Sequence, residues 1–303
     1  MERRILSVLI LVSFLFLLSC KQSIKDEIVV CGDDKVLILD AERSTEDSVC
    51  VVWEWKAADV FSQIPEELHR KCRNMDECKP VDDNTKLLVT SSAGIALLLD
   101  RETKKCLFYA HVPMAHSAEL LPENRVVVAL STHKEGNSIE LFDIDKPNQV
   151  LFRDSLYSGH GTVWMKEKKL LFALGFDELR AYSLKDWKTD SPKLVLENSW
   201  KIPVEGGHDL VRISDFELLV SGHDGVYRFD VDKESFIPFE PLAVSKNVKS
   251  VNYNKETGRL IYTRAEISWW THHIYSENPQ KVLTIEDVNL YKVRPTVKRK
   301  DKL

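Results

Sequence analysis

Short runs rich in Val, Leu, Ile, Phe and Tyr alternate with turns of Asp, Asn, Gly and Lys along almost the whole chain. Apolar runs of this length, punctuated in this way, read as β-strands. One stretch departs from the pattern. Residues 57–72, with Ala58-Asp59-Val60-Phe61 and Ile64-Pro65-Glu66-Glu67-Leu68, predict one or two short helical turns. The strand-like runs group by fours. The first complete unit is 77–81, 86–90, 95–100 and 106–110, and the second is 116–121, 125–130, 139–144 and 150–152. The third is 160–165, 169–174, 179–184 and 194–200, and the fourth is 208–213, 217–220, 226–231 and 236–239. The fifth is 250–253, 259–263, 273–276 and 281–285.

What remains is three runs at the N-terminus (28–31, 36–40, 51–55) and one at the C-terminus (288–294). Together they complete a further unit, with the C-terminal run as its innermost strand. Such a closure hides a sheet edge that would otherwise stay open. A repeat of ~40–45 residues with about four strands per unit is the signature of a β-propeller. The expectation is an all-β, six-bladed β-propeller closed by its C-terminal strand, with seven blades if 51–82 conceals a distorted one. The propeller spans 28–295.

Three consecutive units open alike, with Ala115-His116-Ser117, Gly159-His160-Gly161 and Gly207-His208-Asp209, at spacings of 44 and 48 residues. The start of each innermost strand lies at the central channel, so these histidines should share one space. The same set of loops places Glu77, Lys249 or Ser250, and Tyr291 at that mouth. A second set, between second and third strands, opens on the same face. It carries Asp33-Asp34, Ser131-Thr132-His133, Phe176-Asp177, His223-Asp224 and the stretch 264–273.

Two chemistries fit the histidine ring. His116, His160 and His208 could bind one divalent ion (Mn, Zn or Fe), with Glu77 or His223 as a fourth ligand. In the other, one His acts as general base while Arg264 or Lys249 offsets developing negative charge. A third possibility is structural, with each His latching neighbouring loops. Trp269 and Trp270, in Ser268-Trp269-Trp270-Thr271-His272-His273, suit stacking on a sugar ring or packing between blades. Paired acids at Asp33-Asp34 and Asp177-Glu178 sit where turns ordinarily place acids.

The N-terminus adds an address. Met1-Glu2-Arg3-Arg4 precedes an apolar run over 5–18 and the ending Leu17-Leu18-Ser19-Cys20. This pattern reads as a secretion signal, and its ending resembles a bacterial lipobox. The resemblance implies cleavage before Cys20 and lipid on Cys20. Residues 1–19 are then signal peptide, 20–27 a tether and 296–303 a basic tail. A net charge of −5 argues against a nucleic-acid partner. Of six cysteines, lipidation uses Cys20. Cys72 and Cys78 flank a short loop and could pair outside the cytoplasm; otherwise Cys31, Cys50, Cys78 and Cys106 are small strand or core residues.

Several segments together carry a resemblance: Asp76-Glu77-Cys78-Lys79, 115–122, Ser131-Thr132-His133, Gly206-Gly207-His208-Asp209-Leu210 and Ser268-Trp269-Trp270-Thr271. The chain resembles a family of uncharacterised propeller lipoproteins from glycan-foraging Gram-negative bacteria. More distantly, the His-lined channel is similar to that of oligogalacturonate lyases. The resemblance implies a protein tethered to the cell envelope, at the outer membrane, that acts on a carbohydrate as a lyase or hydrolase. The candidate catalytic residues are His116, His160, His208, Arg264 and Tyr291. Trp269, Trp270, Lys249, His133 and Glu77 are the candidate substrate contacts. The alternative is a non-catalytic module that binds glycan or protein.

Overall fold

The computed structural model describes residues 26–296. The signal segment, Cys20 and the basic stretch 298–300 lie outside the described residues. Six four-stranded antiparallel sheets form the ring of a six-bladed β-propeller. Blade one is built from both chain ends: Leu290–Pro295 lies innermost, followed by Glu27–Gly32, Lys35–Asp40 and Val51–Lys56. Its closing ladder pairs Val29 with Arg294, Val30 with Val293 and Cys31 with Lys292. Blades two to six follow in chain order. Their innermost strands are Met75–Val81, Ala115–Leu121, Gly161–Met165, Asp209–Arg212 and Val248–Asn254.

The strands form where the apolar runs lie, and the turns obey local chemistry. Glu123 and Asn124 both adopt positive φ (60° and 54°) in the three-residue turn between Leu121 and Arg125, a conformation that asparagine tolerates better than most residues. At the seam, a Cβ on Gly32 would lie 2.1 Å from the carbonyl oxygen of Asn289. Only glycine lets the chain ends approach so closely.

Between blades the sheets bury continuous apolar faces. Phe108 of blade two meets Phe142 of blade three, with ring centroids 5.8 Å apart. Phe172 of blade four meets Phe229 of blade five at 6.3 Å. Each such side chain contributes ~1.5–3 kcal/mol on leaving water.

The stretch 51–82 hides no seventh blade. It holds the outer strand of blade one, a 3₁₀ turn (Ala57–Val60), one helical turn (Glu66–His69) and the first strand of blade two. Val60, Ile64, Leu68 and Cys72 recur every four residues, the helical period, and bury into the core between blades one and two. His69 stacks on Phe61 at 4.2 Å, so this connection is a packed cover.

All five described cysteines are free thiols, and the thiols of Cys72 and Cys78 face different partners. The Sγ of Cys72 faces the Leu68 carbonyl, whereas that of Cys78 faces the carbonyls of Val29 and Lys292.

Candidate functional site

Each blade sends one side chain to the channel mouth: Tyr291, Asp76, His116, His160, His208 and Lys249, in blade order. All six are nearly buried. A backbone irregularity aims most of them. The innermost strands of blades two, three and six shift register between Met75 and Glu77, Ala115 and Ser117, and Val248 and Ser250. Asp76, His116 and Lys249 are therefore the extra residues of β-bulges. Tyr291 occupies the same place in blade one, because Gly32 pairs with Leu290 and Cys31 with Lys292. A bulge bends the strand and redirects a side chain. His160 and His208 instead lie just before their strands, their N–H groups bound to the carbonyls of Leu174 and Ser221.

The histidines do converge. Ring centroids lie 4.4 Å apart for His116 and His160, and 5.7 Å apart for His160 and His208. Tyr291 meets His116 edge-on at 6.1 Å. The Nδ1 atoms of His116 and His160 lie 2.9 Å and 2.8 Å from the carbonyls of Met114 and Ser158. A carbonyl partner fixes the proton on Nδ1 and leaves Nε2 as an acceptor. His208 has a different partner: Lys249 donates to its Nε2 at 2.9 Å.

Burial holds all three imidazoles below their ordinary pKa, His160 and His208 well below. Neighbouring imidazoles add to the effect at His160, and Lys249 adds to it at His208. Burial, together with the charge of Lys292, lowers Lys249 to about 8. Burial raises the carboxyl of Asp76 against the opposing pull of His116.

Beneath this ring the channel is closed by buried charge. Arg294 bridges two carboxylates, with Nε 2.8 Å from Glu77 Oε1 and Nη2 2.6 Å from Asp209 Oδ1. Lys292, fully buried, lies 3.2 Å from Asp209 Oδ1 and 3.5 Å from Glu77 Oε2. Its ammonium also donates to the carbonyls of His116 and His160, at 3.3 Å and 3.4 Å. Two cations thus balance two anions directly beneath the ring.

Glu77, expected at the mouth, is a member of this plug. It stands one residue past the bulge, so Asp76 takes the ring position and Glu77 turns into the channel. Glu77 is consequently no ligand of a metal shared with the histidines. His223 does reach the site, with its ring 5.0 Å from that of His208. Gly206 permits this, since a Cβ there would lie 2.2 Å from His223 Nε2.

The donor set of the ring decides whether it suits a divalent ion. The Nε2 acceptors of His116 and His160 suit a metal, but His208 Nε2 holds the ammonium of Lys249. Among the described residues, no group of three or more His, Cys, Asp or Glu could hold a metal ion. The arrangement does not fit a three-histidine metal centre.

The other expected contacts are engaged elsewhere on the same face. Arg264 lies 3.7 Å from Glu266 and stacks over Tyr275 at 4.8 Å. Glu266 also accepts from Thr271, His273 and Tyr275, which holds its carboxyl down at about 2. This hub anchors the 266–271 loop, and Thr271 pairs with Leu290, next to Tyr291. Trp270 packs on His272 at 5.3 Å, while Trp269 is 69% exposed. His133 accepts from the Glu135 N–H at 3.0 Å, away from the ring. Two aromatics border the mouth: Phe176, in a loop that the sequence places on this face, and Tyr157, which the sequence did not single out. Phe176 meets His223 at 6.1 Å and Tyr157 at 5.6 Å, and Tyr157 is 56% exposed.

A cavity of about 370 Å³ lies away from the mouth, between blades six and one. It is lined by Asp26, Ile28, Arg259 and Lys281 among others. Arg259 pairs with Asn254 and Ile28 with Pro295, at the strand ends remote from the ring.

A family of unknown function, DUF6528, matches residues 26–300. No curated protein matches the sequence. Among solved structures, a chain of the mitotic checkpoint complex is similar with a TM-score of 0.54 and 10% identity, over 86% of this chain and 76% of that one. Saccharomyces cerevisiae Sqt1 gives a TM-score of 0.49 and 12% identity, over 78% of this chain and 65% of that one. At such identity the first likeness speaks to the fold alone. The chain belongs to the DUF6528 family.

Proposed function

We propose that this member of the DUF6528 family binds an acidic saccharide at the channel mouth. One observation carries the reading: a single ammonium, Lys249, stands beside three imidazoles that burial keeps neutral. Lys249 forms no salt bridge among the described residues; Asp76, the carboxyl of the ring, acts on it through space and is itself raised by burial, so the ammonium suits a ligand carboxylate. Neutral Nε2 atoms suit ligand hydroxyls, which need acceptors. Tyr157, Phe176 and Trp269 offer exposed or half-buried aromatic faces for the apolar side of a sugar ring.

The test is calorimetric titration with uronic-acid oligosaccharides and their neutral counterparts. The acidic ligand should bind and the neutral one should bind at least tenfold more weakly. Lys249→Met should remove the difference. Equal affinity for both ligands would refute the reading.

A second reading, catalysis, is favoured by the contact of His116 with Tyr291. A neutral imidazole can take the C5 proton of a bound uronate as the C4–O bond breaks, with the Tyr291 hydroxyl protonating the departing oxygen. The unsaturated product would absorb in the ultraviolet. Binding without any such product leaves the module reading.

The same proposal places the protein in the cell envelope, lipid-anchored through Cys20. The chain enters the fold at Asp26, the end of blade one remote from the ring, so a tether there leaves the mouth facing away from the membrane. Cys20→Ser should release the protein from membranes with its fold unchanged; continued carbonate-resistant association would count against a lipid anchor.

A further inference from the structure

Two thiols meet at the seam where the ring closes. Cys31 lies on the second strand of blade one and Cys78 on the innermost strand of blade two. Both are buried in one apolar cluster. Their Sγ atoms lie 3.8 Å and 3.7 Å from the same oxygen, the carbonyl of Lys292. Cys78 Sγ also lies 3.6 Å from the carbonyl of Val29, two residues before Cys31. The nearness of Cys31 is one of the causes that raise the Cys78 thiol, after burial. No other described cysteine shares an acceptor with either of them.

We propose that Cys31 and Cys78 are a disulfide site, closed by exchange with a small-molecule disulfide while the ring is being assembled. One cysteine, as thiolate, attacks the small-molecule disulfide. A mixed disulfide forms and one small thiolate leaves. The second cysteine then attacks the protein sulfur of that mixed disulfide and expels the other small thiol. Overall, two cysteine thiols lose two protons and two electrons, and the small disulfide becomes two thiols.

The timing follows from burial. In the folded protein burial is the largest cause holding the Cys78 thiol well above its ordinary pKa, and a buried thiol reacts slowly. During folding the seam is open, because blade one cannot form until the C-terminal strand arrives. The cross-link would tie the N-terminal strand of blade one to blade two directly, independent of the Leu290–Pro295 strand between them. An unfolded chain so cross-linked has fewer conformations, which stabilises the native state.

The occurrence of the bond in cells rests on the export reading, since a reducing cytoplasm would keep the thiols free. The experiment in vitro does not, so the two can fail separately. The full chain without its signal segment is refolded in oxidised and reduced glutathione, denatured, alkylated without reduction, and peptide-mapped. The expected result is one linked peptide pair joining Cys31 to Cys78, with both unavailable to alkylation. Its unfolding temperature should fall when the bond is reduced, and Cys31→Ala should show no such reductant dependence. Alkylation of both residues after oxidative refolding would overturn the proposal, as would a link from either to Cys50, Cys72 or Cys106.

Discussion

Replacing Arg294 with Met tests the buried plug that supports the site. Arg294 makes four hydrogen bonds: two to Glu77 at 2.8 Å and 2.9 Å, and two to Asp209 at 2.8 Å and 2.6 Å. Both carboxylates are fully buried. Methionine fills much of the volume but leaves two anions facing Lys292 alone. Breaking one side of a buried ion pair costs about 3–5 kcal/mol. For a domain of this size that is a fall in Tm of roughly 6–20 °C.

The loss should depend on pH in a definite direction. Burial raises the Glu77 carboxyl, but Arg294 and Lys292 outweigh it and hold the group well below its ordinary value of 4.5. A carboxylate depressed on folding contributes stability above its unfolded pKa, and loses it as pH falls toward the folded value. The gap between wild type and Arg294→Met should therefore be full at pH 7 and shrink below pH 4.5. Adding Asp209→Asn alone to Arg294→Met should recover part of the loss, because Lys292 then balances the one carboxylate that remains, Glu77. Urea unfolding followed by circular dichroism gives these values. A single-variant loss under about 1 kcal/mol, or a gap that is constant with pH, would refute the reasoning.

The three neutral histidines make a prediction of opposite origin. Their folded pKa values lie below the ordinary 6.5, so the unfolded state binds protons first. Stability should be flat above pH 6.5 and fall below it, by at most ~1.4 kcal/mol per pH unit for each histidine; urea titrations at pH 5 to 8 check this, and His160→Gln should flatten the slope. Glu266→Gln should loosen the loop that bears Trp269, read as stronger acrylamide quenching of tryptophan emission, with global stability reduced by only about 1 kcal/mol. Deleting 290–303 should abolish folding, because it removes the buried Lys292, Val293 and Arg294 and opens the ring; a truncated protein with an unchanged melting transition would count against closure by this strand.

Much of the fold was legible because strands punctuated by turns repeat at one interval, and the leftover runs at the two ends supply the missing strands. The three histidines were legible for the same reason. The rest of the ring was not, because the positions that matter are bulges. In Met75-Asp76-Glu77-Cys78, a spacing matched to Ala115-His116-Ser117-Ala118 puts Asp76, not Glu77, in register with His116. Beginning the innermost run at Glu77 put that residue at the mouth, and a one-residue slip separates the mouth from the plug. The plug itself left a trace: Lys292 and Arg294 alternate with apolar residues in a strand expected to be innermost. Basic residues on the channel side of such a strand demand buried acids, and the only ones facing them come from other blades. Lys249 as the partner of His208 could not be read, since it depends on how two blades meet across the channel. Phe176 was placed on this face by its loop, whereas Tyr157 sits in a segment whose sequence resembles an ordinary turn.

The central claim is that an acidic saccharide sits on the ring with its carboxylate at Lys249. A crystal structure with a short uronic-acid oligosaccharide tests it most directly. We expect one carboxylate oxygen within hydrogen-bond distance of Lys249 Nζ, and sugar hydroxyls on the Nε2 atoms of His116 or His160. Density for the sugar only in the cavity between blades six and one, or at the mouth with its carboxylate turned away from Lys249, would contradict the account.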